Sequence, residues 1–302
     1  MPNEMKTLLE NFQKYTQSPL KEEANPGQLD PTKFPLPLSK VNPKTAKKYT
    51  RSGDPKLDKS AEDDVVNLQK GEFPVAALRP SQSSMNIGKA LGMVISMLDP
   101  GNSFSAGGDL GAFISSDKYI MDGHHRWIAT SMINPTLKIG GIVVDFPAKQ
   151  LVPVLNAITK GLLGIMKGKP ASGGFEQFQP EPLKKQLQIY AQKGTKNNSA
   201  EEVVAILEKF SGAQGPQAVE VAANKMSKNL GSITMQAPGW APGRPDMPVI
   251  DPDIKPGAIE VAVNALKSGQ IDVNPPYGTG AAQATAGQQQ AADPAAPEKE
   301  IK

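Results

Sequence analysis

The sequence contains no cysteine, which excludes disulfide staples, thiolate nucleophiles and cysteine-based zinc sites, and nothing in it points to secretion. Only 5% of the residues are aromatic and 38% hydrophobic, so a good part of the 302 residues is expected to lie outside any packed core. No run approaches the roughly 18 consecutive apolar residues that a membrane span needs. Residues 1–15 carry acidic side chains and lack the apolar stretch of a signal peptide. The expectation is a protein that is neither secreted nor membrane-bound, located in the cytoplasm or in a virus particle. A net charge of +3 is too mild to argue for a polyanion partner by itself, so the placement of charge matters more than its sum.

Proline and glycine, by contrast, are abundant at 28 each. Met5, Leu8, Leu9, Phe12 and Tyr15 recur at helical spacing, and predict an amphipathic helix over residues 1–16. It is too short to be stable alone, and is expected to dock on the body or on another copy of the chain, giving a homo-oligomer. Residues 17–64 hold seven prolines and read as an extended, flexible arm. Between residues 40 and 59 of it, Lys40, Lys44, Lys47, Lys48, Arg51, Lys56 and Lys59 stand against only Asp54 and Asp58. Lys44, Lys47, Lys48 and Arg51 are the candidate nucleic-acid contacts of this arm, which could track DNA phosphates. The competing reading is a solvated arm, since no aromatic or repeated pattern supports base contact.

Strand and helix patterns interleave from residue 65 to 165 and predict a compact α/β (α+β) domain. Residues 73–78 read as a strand leading into a polar loop, 87–98 as a helix, and 112–114 with 118–121 as a short hairpin. Residues 139–146 form a β-branched buried strand and 151–163 a helix. Residues 168–174 read as a linker. The region 175–277 is mainly helical, with segments 182–193, 199–210 opened by the Ser199/Glu202 capping box, 216–230 and 256–268. Residues 237–252 are irregular and 270–273 strand-like. Residues 278–302 are too poor in large apolar side chains to offset their ordering entropy and are expected to be a disordered tail.

Both histidines of the chain are adjacent, in Asp122-Gly123-His124-His125-Arg126, between a predicted strand and a helix that must end near Asn134-Pro135. A helix start offers unpaired N–H groups and the positive end of the dipole. Gly123 permits a sharp turn and close ligand approach, and Arg126 adds a fork suited to phosphate oxygens. His124 and His125 could serve as donors or as acid–base groups, with Asp122 as a partner. A phosphate nearby could hold a histidine protonated. The chemistry points to an oxyanion, phosphate first. Neighbouring helix residues diverge by about 100°, which argues against the two histidines as joint ligands of one metal. Asp122 could meet Mg²⁺ through a nucleotide, or could simply cap the helix. Arg79 and Gln82 from the first polar loop, and Lys89 at the next helix start, are further phosphate-ligand candidates. The Lys89 segment is no Walker loop, because Ser83 stands where its first glycine would be. Trp127 could stack on a base or pack. The cluster Trp240, Arg244 and Asp246 could form a lid or a clamp.

The Asp122–Arg126 box followed by Trp127-Ile128-Ala129 resembles the signature box of the ParB/sulfiredoxin superfamily. The upstream segment Phe73-Pro74-Val75-Ala76-Ala77-Leu78-Arg79-Pro80-Ser81-Gln82 is similar to the first box of ParB-like domains. The resemblance covers about residues 65–165 and is nearest in impression to ParB-like proteins carried by bacteriophages. It implies a ParB/sulfiredoxin-like fold and a nucleotide cofactor, a nucleoside triphosphate with Mg²⁺. Family members include CTP-dependent partitioning proteins, ATP-using sulfiredoxins, a free-serine kinase and ParB-like nucleases. By position, Gly123 would be the close-approach glycine, Arg126 the phosphate clamp and His125 its neighbour. His124 stands where sulfiredoxin has its catalytic cysteine, which excludes that chemistry. No helix-turn-helix with a basic recognition helix follows, so site-specific partitioning is not expected. The implied function is binding of a nucleotide or other phosphate ligand, with phosphotransferase or hydrolase chemistry. The alternatives are a DNA-binding ParB-like nuclease and a virion-associated protein that kept the fold without catalysis.

Overall fold

The computed structural model describes residues 64–165, 173–251, 254–271 and 273. The expected N-terminal helix, all of the basic arm except Asp64, and the expected tail lie outside the described residues, as do Lys44, Lys47, Lys48 and Arg51. Among the described residues no helix is long and apolar enough to cross a membrane.

The described chain is mixed α/β. Five strands, β1 (Leu68–Pro74), β2 (Arg79–Pro80), β3 (Gly108–Ser115), β4 (Tyr119–Asp122) and β5 (Lys138–Val144), form one sheet in the order β1-β5-β3-β4-β2. The β1/β5 and β3/β4 pairs run antiparallel, while β3/β5 and β2/β4 are parallel. Position in the sheet explains composition. β5 is buried at every residue after Lys138 and is rich in Ile and Val, whereas the edge strand β1 exposes Gln69, Lys70 and Glu72. Gly141 sits where the β3 and β5 backbones approach so closely that a Cβ would overlap the carbonyl of Ala112.

Alternation along β3 and β4 divides the core into two layers. Phe113 and Met121 face one cluster, with Leu151, Leu155 and Ile158 and with Ala262 and Leu266. These come from α3 (Ala148–Ala157), its π-helical continuation Ile158–Leu162, and α7 (Ala258–Lys267). Ala112, Ile114 and Ile120 face the other cluster, packing on Leu91, Val94 and Ile95 of α1 (Ile87–Leu98) and on Trp127 and Ile128 of α2 (His124–Ile133). The same cluster continues into α4 (Pro180–Lys193), α5 (Ala200–Ser211) and α6 (Pro216–Leu230) through Leu183, Leu187, Leu207 and Met226. Asn229 on α6 donates to the carbonyls of Met132 and Ile133 at the end of α2, at 2.8 and 3.1 Å.

Three expectations are corrected. The strand expected at 73–78 lies earlier, because its ladder with β5 ends at the Pro74–Lys138 pair and a 3₁₀ turn, Val75–Ala77, follows. Val75 and Leu78 are buried through that turn and not through strand alternation. The helix expected at 151–163 starts at Ala148, whose N–H is held by the Asp117 carboxylate at 2.9 Å, and changes to π geometry after Ala157. The strand-like segment expected at 270–273 is not a strand of the sheet: Ile271 forms an isolated bridge, Gln270 N–H returns to the Ala265 carbonyl, and Ile271 and Val273 are buried.

Candidate functional site

The box begins at the last residue of β4, Asp122, paired across to Phe113. Gly123 then takes φ +102 and serves as the N-cap of α2, with no side-chain cap. A Cβ here would lie 3.2 Å from that of Ala112, so both the backbone conformation and the space favour glycine. Asp122 therefore does not cap the helix. Its carboxylate lies 3.8 Å from Arg126 Nη2. Arg126 also donates through Nη1 to the Leu110 carbonyl, which folds its guanidinium back over β3.

The two histidines diverge as helical geometry requires, yet both engage the loop between β2 and α1. The Ser81 backbone N–H donates to His124 Nε2 at 3.1 Å, while Ser81 Oγ donates to the Ile120 carbonyl. The Asn86 backbone N–H donates to His125 Nε2 at 3.4 Å. Asn86 is itself the N-cap of α1, its Oδ1 accepting from Lys89 N–H at 2.7 Å. The starts of α1 and α2 are thus drawn together through His125.

Both rings are nearly sealed, His124 at 4% and His125 at 9% exposure. Burial, with the Arg244 charge adding to it, pushes His124 down to about 3. Burial, then Arg244, Lys89, His124 and Arg126, push His125 down to about 2. Two neutral acceptors replace the protonated histidine that the sequence allowed. Asp122 moves the other way: desolvation raises its carboxyl, and Arg126 and the Gly123 N–H oppose that rise.

A shallow, open cleft of about 80 Å³ runs along this surface. Asp122, His124, His125, Gln82 and Lys89 line it from the sheet side, and Arg244, Met247, Val249 and Asp251 from the irregular segment opposite. That segment is strapped down. Pro242 O accepts from Ser83 N–H at 2.9 Å, Arg244 N–H donates to Ser84 Oγ at 3.0 Å, and Asn156 Nδ2 donates to Asp246 O at 2.9 Å. Trp240 sets its ring edge-on to Tyr119, 5.4 Å between centroids.

Of the residues singled out in the sequence, Asp122, His124, His125, Gln82 and Lys89 come together on the cleft. Gly123 shapes the turn beside them. Arg126 and Arg79 are not among the lining residues; Arg79 lies 5.9 Å over the Tyr119 ring. Trp127 is fully buried and donates Nε1–H to the Val75 carbonyl at 2.9 Å, so it packs and does not stack on a ligand. Met247, Val249, Asp251 and Ile254 were missed. Their only signal was the proline-rich cluster around Arg244, which showed that a strap existed but not what it covered.

No family model matches the chain, and no curated protein or solved structure matches it.

Proposed function

We propose that the protein binds a nucleotide or other phosphate-bearing ligand in the cleft between the starts of α1 and α2 and the strap 237–251. The observation that carries this reading is the convergence of Lys89, Arg244 and both box histidines on one cleft beside two helix starts. The placement of Gly123 and the histidines at a strand–turn–helix junction agrees with the ParB/sulfiredoxin resemblance of residues 65–165, which we take as supporting the same ligand class. Relative to that resemblance the cationic role moves. Arg126 donates to the Leu110 carbonyl and lies beside Asp122, and Arg244, from more than a hundred residues downstream, lines the cleft.

Mg²⁺ would arrive with the ligand's phosphates. Among the described residues no three His, Asp or Glu side chains form a metal cage, and the cleft offers Asp122 and Asp251 as single carboxylates. In a phosphoryl-transfer or hydrolysis step Asp122 is the group that would take the proton, since both histidine Nε2 atoms are already accepting.

Isothermal titration of ATP and CTP with Mg²⁺ into the full chain tests the site. A charge-assisted contact is worth about 1.5–3 kcal/mol, so Arg244→Ala should weaken binding on the order of 10- to 100-fold. Equal affinity in the variant, or no binding by the native chain, would remove the reading.

A further inference from the structure

A ring nitrogen that accepts a hydrogen bond carries no proton. His124 Nε2 accepts from Ser81 N–H, and His125 Nε2 accepts from Asn86 N–H. In a neutral imidazole the proton must then sit on Nδ1 in both rings. Neither Nδ1 has a protein partner among the described residues. The fully buried side-chain polar atoms that lack a partner there are Gln150 Oε1, Asn156 Oδ1 and Thr159 Oγ1. Neither Nδ1 is among them, and the surface that both histidines line is the cleft.

We propose that His124 and His125 are tautomer-fixed donors, each offering Nδ1–H to an anionic oxygen of the ligand, and that they recognise it without becoming charged. The proposal rests on the phosphate-ligand reading for the identity of the acceptor, and on geometry alone for the tautomer. The groups facing the rings agree with a neutral pair. Arg244 of the strap, Lys89 of α1 and Arg126 of α2 all disfavour an imidazolium, and the carboxylates on the same cleft are Asp122 and Asp251. Fixed neutral donors suit a site that already carries cations. They add directional hydrogen bonds to the bound anion without adding mutual repulsion to the empty cleft. They also reject a ligand that presents donors at those two points, because an N–H would face an N–H.

The chain has two histidines in all, so every imidazole signal in an ¹⁵N NMR spectrum of the full protein belongs to this site. The expected spectrum shows Nδ1 protonated and Nε2 accepting in both rings, unchanged from pH 8 to pH 5. Inorganic phosphate, and separately ATP with Mg²⁺, should shift the Nδ1 signals more than the Nε2 signals. An Nε2–H tautomer, or titration with a midpoint near 6.5, would overturn the proposal. So would Nδ1 signals that ATP leaves unmoved; if Arg244→Ala still weakened ATP binding in that case, the phosphate site would stand and only the donor role would fall. Two substitutions separate donor from prop. His125→Asn keeps an N–H near the Nδ1 position and gives up the Asn86 bond, so it should lower thermal stability while holding ATP affinity within a few-fold. His125→Gln keeps an acceptor for Asn86 and places nothing at Nδ1, so it should stay folded and lose affinity at least 10-fold. The reverse pattern would contradict the assignment.

Discussion

The backbone N–H of Asn86 points at Nε2 of His125, 3.4 Å away, and so ties the cap of one helix to the first turn of the next. Asn86 also caps α1 through its side chain. One residue thus fixes the start of its own helix and, through its N–H, the ring orientation of a residue 39 positions downstream.

This arrangement makes stability depend on pH. Both histidines have folded pKa values depressed well below 6.5, so the unfolded chain binds more protons below that value. Their stabilising contribution is complete above about pH 6.5 and is lost as the pH falls. From pH 7 to pH 5 the loss should be roughly 2 kcal/mol per histidine, partly offset by Asp122, whose raised pKa favours the folded state on acidification. Urea denaturation at the two pH values measures the difference. Equal stability at pH 7 and 5 would show that the rings are not held neutral.

Glycine substitutions separate backbone conformation from close approach. Gly212 ends α5 at φ +77 with open space around it, so Gly212→Ala should cost only about 1 kcal/mol. Gly141→Ala should prevent folding or force β3 and β5 apart, since its Cβ would overlap Ala112 backbone. Circular dichroism melts of the two variants should differ widely; similar melts would contradict the strand register.

Trp127→Phe removes the indole donor to the Val75 carbonyl, which then keeps only the longer bond from Leu78 N–H at 3.3 Å. A loss of about 0.5–1.5 kcal/mol in stability is expected, with nucleotide affinity unchanged in calorimetry. A large loss of affinity at unchanged stability would return the ring to the ligand.

The Ser199/Glu202 capping box is formed in full, with bonds of 3.2 and 2.7 Å. Ser199→Ala should cost on the order of 1 kcal/mol, read as a small drop in the unfolding midpoint with no change in ligand binding.

Legibility in the sequence followed the range of the interactions. The helix expected at 87–98 matches α1, and the Ser199 cap and the Pro216 start both fall where predicted, because local chemistry sets them. The turn at Gly123 was readable for the same reason. The edge strand β1 was not, since Gln69, Lys70 and Glu72 hide its pattern, and the chain's turn at Val75 depends on Leu137, sixty-two residues away. The adjacent histidines marked the box, but their protonation did not follow from sequence: it depends on Ser81, Asn86 and Arg244, which only the folded chain brings to the rings. Arg126 looked like the phosphate clamp from its position in the motif. The nearby Leu110 carbonyl takes that guanidinium instead, and a residue from the strap faces the cleft.

The most direct test of the account is a thermal-shift comparison of the native chain with the double variant Lys89→Ala/Arg244→Ala, using ATP, CTP, GTP and inorganic phosphate, with and without Mg²⁺. A ligand present at 100 times its dissociation constant stabilises by about 2.7 kcal/mol. The account predicts a clear upward shift for at least one phosphate-bearing ligand in the native chain and its loss in a folded double variant. A shift of equal size in both proteins, or none for any ligand in the native chain, would contradict it.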